Sequence, residues 1–168
     1  MIIQNYLIFL EIDKELSHKI VIVAVGGTAM MLVGAKPSTI DVDFTIPSKD
    51  YDKFERAKRI VQPGFRVDVF RDGAVFVTLL PDDYLKKAKS ITTNLKNIDL
   101  RVLNPVDIII TKIARLDDRD EQDIESCITN FHITQKQIEQ RARDINYAGN
   151  DNVFIGNLKI VLDKFFKK

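Results

Sequence analysis

The chain has 168 residues, 45% hydrophobic and 29% charged, the composition of one ordinary globular domain with enough apolar residues for a substantial core. Lys and Arg number 25 against 24 Asp and Glu, so the net charge of +1 excludes any global attraction to nucleic acid or an anionic membrane; a polyanion must find a local patch. The single cysteine, Cys127, excludes an internal disulfide, and a reducing cytoplasm is the expected compartment.

Residues 2 to 17 read as a helix whose apolar positions are interrupted by Gln4, Asn5, Glu11 and Asp13 without a basic leader, so neither a signal peptide nor a membrane span is expected. Ile20 to Val25 is a β-branched run that predicts a strand ending at the Gly26-Gly27 turn. Thr28 to Val33 follows as a short helix, and the Ile40-Val42-Phe44 alternation begins a second strand. Ser48 is placed to cap a helix carrying Phe54, Ala57, Ile60 and Val61; Pro63-Gly64 then turns the chain into a third strand, Phe65 to Phe70. Val75 to Leu79 and Ile98 to Leu103 read as further strands, separated by a short helix near Pro81 to Ala88.

Beyond Asn104-Pro105 the pattern turns helical. Pro105 suits a first helical position, and Val106, Ile109, Ile113 and Leu116 share one face, leaving Ile108 exposed on the opposite one. Ile124, Cys127, Ile128 and Phe131 form the stripe of the next helix, Thr134 and Gln137 a capping box for another, and Phe154, Leu158, Val161 and Phe165 the stripe of a last. The expected fold class is α+β: a mixed sheet with flanking helices over residues 1–103, and a helical bundle over 104–168 packed on it as one unit.

Chemistry concentrates in Gly26-Gly27 and Thr39-Ile40-Asp41-Val42-Asp43-Phe44. Residues two apart on a strand face the same way, so Asp41 and Asp43 are expected to project together while Ile40, Val42 and Phe44 enter the core. Crowded hard oxygen ligands are what Mg²⁺ takes along with substrate phosphates, and glycines after a strand let backbone N–H groups approach a phosphate. Asp68, alone in the apolar strand Arg66-Val67-Asp68-Val69-Phe70, is costly to bury unpaired; on a strand next to the Asp41–Asp43 segment it would complete a three-carboxylate metal site. A lone Gly-Gly is usually only a turn and a lone Asp-x-Asp a solvated strand edge; the combination favours function. Lys112 lies at the edge of its helical stripe, where its ammonium can reach a cleft and meet a phosphate. Asp120 should face inward to pair with Arg119 or Lys112, with Asp123 at the edge. His18 and His132 sit near helix ends with no zinc spacing, and Lys86, Lys87 and Lys89 read as a solvated face.

The run Gly26-Gly27-Thr28-Ala29 through Thr39-Ile40-Asp41-Val42-Asp43, with Val67-Asp68-Val69-Phe70 after it, resembles the nucleotidyltransferase superfamily of the DNA polymerase β type. Leu103-Asn104-Pro105-Val106-Asp107 through Lys112-Ile113, with Arg119-Asp120-Glu121-Gln122-Asp123-Ile124, is similar to its small prokaryotic branch that includes the AbiEii-type toxins. The resemblance spans roughly residues 20 to 130. It implies magnesium and a nucleoside triphosphate, with Asp41, Asp43 and Asp68 as catalytic metal ligands and Gly26, Gly27, Thr28, Thr39 and Lys112 as nucleotide or phosphate contacts. Asp120 and Asp123 support them. It further implies transfer of a nucleotide to a hydroxyl on RNA, protein or a small molecule, and an antitoxin-like protein partner. Pro37 stands where relatives often carry an Arg, and Lys36 is expected to replace it. The competing readings are a catalytically inactive binding or regulatory module of the same fold, and an interaction protein using the exposed Ile108.

Overall fold

The computed structural model describes residues 3–39 and 41–167. In chain order the elements are α1 (Ile3–Lys14), β1 (Ile20–Ala24), α2 (Gly26–Leu32), β2 (Val42–Ile46), α3 (Ser48–Val61) and β3 (Val67–Arg71). There follow β4 (Ala74–Val75), β5 (Thr78–Leu79), α4 (Tyr84–Lys87), β6 (Lys89–Ser90) and β7 (Ile98–Val102). The remainder is α5 (Pro105–Ile113), α6 (Asp118–Phe131), α7 (Gln135–Ala142), β8 (Asn146–Tyr147) and α8 (Asp151–Phe166). Residue 2 of the first predicted helix and Ile40 of the second predicted strand lie outside the described residues. The fold is α+β, as the pattern predicts.

Five strands form one mixed sheet in the order β3-β2-β1-β7-β6. β1 runs parallel to β7 and antiparallel to β2, and β2 runs parallel to β3. β2 is buried along its whole length although Asp43 and Thr45 alternate with its apolar residues Val42, Phe44 and Ile46. On one face Phe9 and Ile12 of α1 and Phe54 of α3 pack on Phe44, Ile22 and Ile46; Phe9 meets Phe44 edge-on at 5.2 Å. The other face is covered by α2, α5 and the helices after it, in a cluster containing Val23 and Val102 from the sheet with Ile109, Ile124, Ile138 and Val161. Asp13 ties α1 to the start of β7 by accepting the backbone N–H groups of Lys96, Asn97 and Ile98.

Four expectations need correction. Ile108 is not exposed: α5 is enclosed by α2, α6, α7 and α8, so Ile108, Ile109, Ile110 and Ile113 are all fully buried. Ser48 does not cap α3 with its side chain; the carboxylate of Asp72 does, taking the Ser48 N–H at 2.7 Å and the Ser48 hydroxyl, and those hydrogen bonds hold Asp72 below the usual carboxylate pKa. Ile60 of the same predicted stripe is exposed. Val75 to Leu79 is a hairpin of two-residue strands, turning at Phe76-Val77 and continued by β8 into a second, three-stranded sheet. The predicted Asn104 boundary, with Pro105 at the first turn, and the Thr134–Gln137 capping box are both present. Among the described residues no helix is long and apolar enough to cross a membrane.

Candidate active site

The end of the sheet where β1 stops and β2 starts is fastened by short polar links. Thr28 on α2 donates its hydroxyl to the Asp41 carbonyl (3.2 Å) and accepts the Asp43 N–H (2.9 Å). Thr39 donates to the same carbonyl at 3.1 Å, and the Val25 N–H donates to the Asp43 carbonyl at 3.0 Å. The two threonines expected to touch phosphate thus hold the acidic segment in place.

Both glycines are demanded by close approach. Gly26 has φ +53°, and a Cβ there would stand 2.9 Å from Asp43 Oδ2; a Cβ on Gly27 would stand 2.5 Å from Thr39 Oγ1. The glycine turn therefore lies directly against the Asp43 carboxylate.

Asp43 is the buried member of the acidic group, and Asp68 is its register partner on β3. Directly paired residues of neighbouring strands share a sheet face, so the two carboxylates lie side by side. Asp41 departs from expectation: it precedes β2 in a bend and is exposed, rather than projecting from the strand beside Asp43. Burial, then the charges of Asp68 and Asp41, push the Asp43 carboxyl up to about 6, against the smaller pull of Arg66 and Arg115. The three aspartates thus share one field, short of positive charge. Asp68 is turned toward Arg66, whose Nε donates to it at 2.9 Å, and among the described residues no three acidic, His or Cys side chains are gathered closely enough to hold a metal.

The helical half contributes a separate charge network. Lys112 is buried and donates to Asp123 at 2.7 Å and to Asp120 at 3.1 Å. Asp120, fully buried, also takes a forked pair of hydrogen bonds from Arg115, both 2.7 Å. Lys36, expected to replace an arginine toward phosphate, instead donates to Asp123 at 3.2 Å. Arg119 is not the partner of Asp120; its backbone N–H serves the Asp117 cap of α6. Lys86, Lys87 and Lys89 are exposed as expected, with Lys87 paired to Asp83 at 2.8 Å.

Arg115 is the residue that sequence reasoning missed. It links the two halves: one end is gripped by Asp120, it lowers Asp43, and its guanidinium lies 4.7 Å from the centroid of the Phe76 ring. Its three-residue spacing from Lys112 was the available signal.

The model of a family described as "Nucleotidyltransferase of unknown function (DUF6036)" matches residues 7–167. The chain belongs to that family. The nucleotidyltransferase match takes in most of α1, from residue 7, and the last two helices, which carry nothing specific in the sequence, so sheet and bundle are together part of what defines the family. No curated protein and no solved structure matches the chain.

Proposed function

We propose that this nucleotidyltransferase-family chain transfers a nucleotide from a magnesium-bound nucleoside triphosphate to a hydroxyl, and that the sheet end bearing Gly26, Gly27, Asp41, Asp43 and Asp68 is where it does so. The observation that carries this reading is Asp43: a buried carboxylate beside its register partner Asp68, lifted to about 6 by burial and its acidic neighbours, with a glycine turn against it. Such a position favours a cation, and its hard carboxylate donors suit Mg²⁺. Asp43 and Asp41 would hold the ion, with Asp68 completing the set after release from Arg66. Bound magnesium would supply charge neutralisation of the triphosphate and polarisation of the transferred phosphorus. Gly26 and Gly27 leave the backbone N–H groups at the start of α2 open to phosphate oxygens. Lys112, Asp120 and Asp123 act here as a positioning network that fixes Arg115 at the cleft.

The motifs shared with AbiEii-type toxins support a place in a toxin–antitoxin pair in the cytoplasm, with an antitoxin-like protein as partner and RNA, protein or a small molecule as acceptor. The hydrophobic cluster joining β1 to α5–α8 supports residues 1–103 and 104–168 working as one unit. A second reading, a binding module without catalysis, is favoured by the Arg66–Asp68 pair and by the absence, among the described residues, of a gathered metal group.

Thermal shift with ATP, GTP, CTP and UTP, with and without Mg²⁺, followed by transfer of labelled nucleotide to total RNA and protein, separates them. Metal-dependent stabilisation with a labelled acceptor supports transfer. Stabilisation without label favours the binding module, and the absence of both stabilisation and label sinks the nucleotide reading.

A further inference from the structure

We infer that the Phe76 ring at the tip of the β4–β5 hairpin is a stacking platform for a nucleobase beside the glycine turn. The inference rests on the nucleotidyl-transfer reading for its setting and names a ligand subsite that the aspartates do not supply.

A two-residue hairpin tip is ordinarily built from Gly, Asn or Asp, which tolerate left-handed backbone. Here a phenylalanine stands there with φ +53°. A bulky side chain in that conformation is strained, and such strain persists where the surroundings enforce it, commonly at ligand sites. The residue is also 41% exposed. Hairpin stability does not explain it, since glycine would make the turn without strain and without leaving an aromatic face in water.

The position of the ring supplies the explanation. One ring atom lies 3.6 Å from the point where a Cβ on Gly26 would stand, while Asp43 Oδ2 lies 2.9 Å from the same point. Phe76 and Asp43 therefore flank Gly26 together. The ring is held in place: Phe70 meets it edge-on at 5.3 Å, and Arg115, itself clamped by Asp120, lies over it. A fixed, half-exposed aromatic ring with a guanidinium beside it is the arrangement on which bases stack without strong sequence preference. The base belongs either to the incoming triphosphate or to the terminal nucleotide of a nucleic-acid acceptor.

Calorimetric titration tests this on the wild type and on Phe76→Leu, Phe76→Gly and Phe76→Tyr. The probes are the four nucleoside triphosphates with Mg²⁺, inorganic triphosphate with Mg²⁺, and a short single-stranded RNA. Phe76→Leu keeps an apolar side chain at the tip and Phe76→Gly relieves the turn, so loss of fold does not obscure the result; melting curves confirm it. If the base comes from the triphosphate, Leu and Gly weaken nucleotide binding about tenfold or more, Tyr restores it, and inorganic triphosphate is unaffected. Weakening of RNA binding alone assigns the base to the acceptor. Equal binding of every probe to wild type and Phe76→Leu overturns the platform, and leaves the transferase reading intact wherever labelled nucleotide is still transferred. Ring-dependent binding by a wild type that transfers nothing keeps the platform and overturns the transferase reading. A wild type that binds no nucleotide and no RNA overturns both.

Discussion

Asp43 and Asp120 are both buried aspartates, and their surroundings drive them in opposite directions. Around Asp120 burial is the largest single influence and acts upward, yet the hydrogen bonds and charges of Arg115 and Lys112 together outweigh it and hold the carboxyl below its usual value. Around Asp43 burial again comes first, but the strongest charge effects come from two more aspartates, and the carboxyl rises to about 6. The helical network is electrically closed, whereas the sheet end is left negative with a glycine turn against it. A charge cluster that already contains its counter-ions is scaffold; one that lacks them is where a charged ligand gains most.

The comparison breaks most visibly at Asp120. Asp120→Asn leaves buried Lys112 with Asp123 alone and releases the fork of Arg115, so it should destabilise the fold by about 3–5 kcal/mol in denaturant unfolding. A loss below that of an ordinary surface substitution would mean that the network is not scaffold.

Asp43→Asn should act the other way. In the folded chain Asp43 keeps its proton to about pH 6, against 3.8 for the unperturbed group, so wild-type stability from this residue falls as pH rises through that window. Above it the ionised carboxylate costs about 2–3 kcal/mol. In EDTA the Asn variant should melt higher than wild type at pH 8, with the gain gone below pH 4, and Mg²⁺ should close the gap by stabilising only the wild type. An Asn variant less stable at every pH would make Asp43 a structural hydrogen-bonding partner.

Gly26→Ala is the next smaller effect. Its left-handed backbone costs about 1–2 kcal/mol for an L-residue, and the new methyl meets Asp43 Oδ2. Melting temperature should fall modestly while Mg²⁺ affinity falls further, because Asp43 must move. Equal affinity would separate the turn from the ion.

Much of the sheet end could be read from the residues. The β-branched run of β1, the glycines after it and the lone acids in apolar strands each carry a local physical cost that is visible without coordinates. What stayed hidden depends on partners distant in the chain. A one-sided stripe puts Ile108 on an outer face, whereas α5 is covered on all sides, a fact that lies in the other helices. The Asp72 cap reaches Ser48 from 24 residues away. Asp41 leaves the strand because Thr28 and Thr39 hold its carbonyl, so the two-residue alternation stops one position short. The hairpin is hidden because Phe76-Val77 offers none of the turn chemistry that signals one.

The smallest effect is the sharpest test of the negative end. Arg66 is solvent-exposed, and its bond to Asp68 lies at the surface, where ion pairs contribute little to stability; Arg66→Gln should leave the melting temperature unchanged. Its electrostatic consequences should nevertheless be measurable. Arg66 is one of the two cations that lower Asp43, so removing it should move the Asp43 titration further up, as followed by carboxyl ¹³C shifts. It also occupies an oxygen of Asp68 that a metal would need. If Asp68 joins Asp43 in holding Mg²⁺, the variant should bind the ion more tightly at pH 8, where Asp43 is ionised, keep that gain at high salt, and lose it as pH falls toward 6 and Asp43 takes its proton. If Asp68 is no ligand, the variant gains only the through-space effect of losing a nearby positive charge, which high salt screens out, while the Asp43 titration still shifts, and the metal site contracts to Asp41 and Asp43.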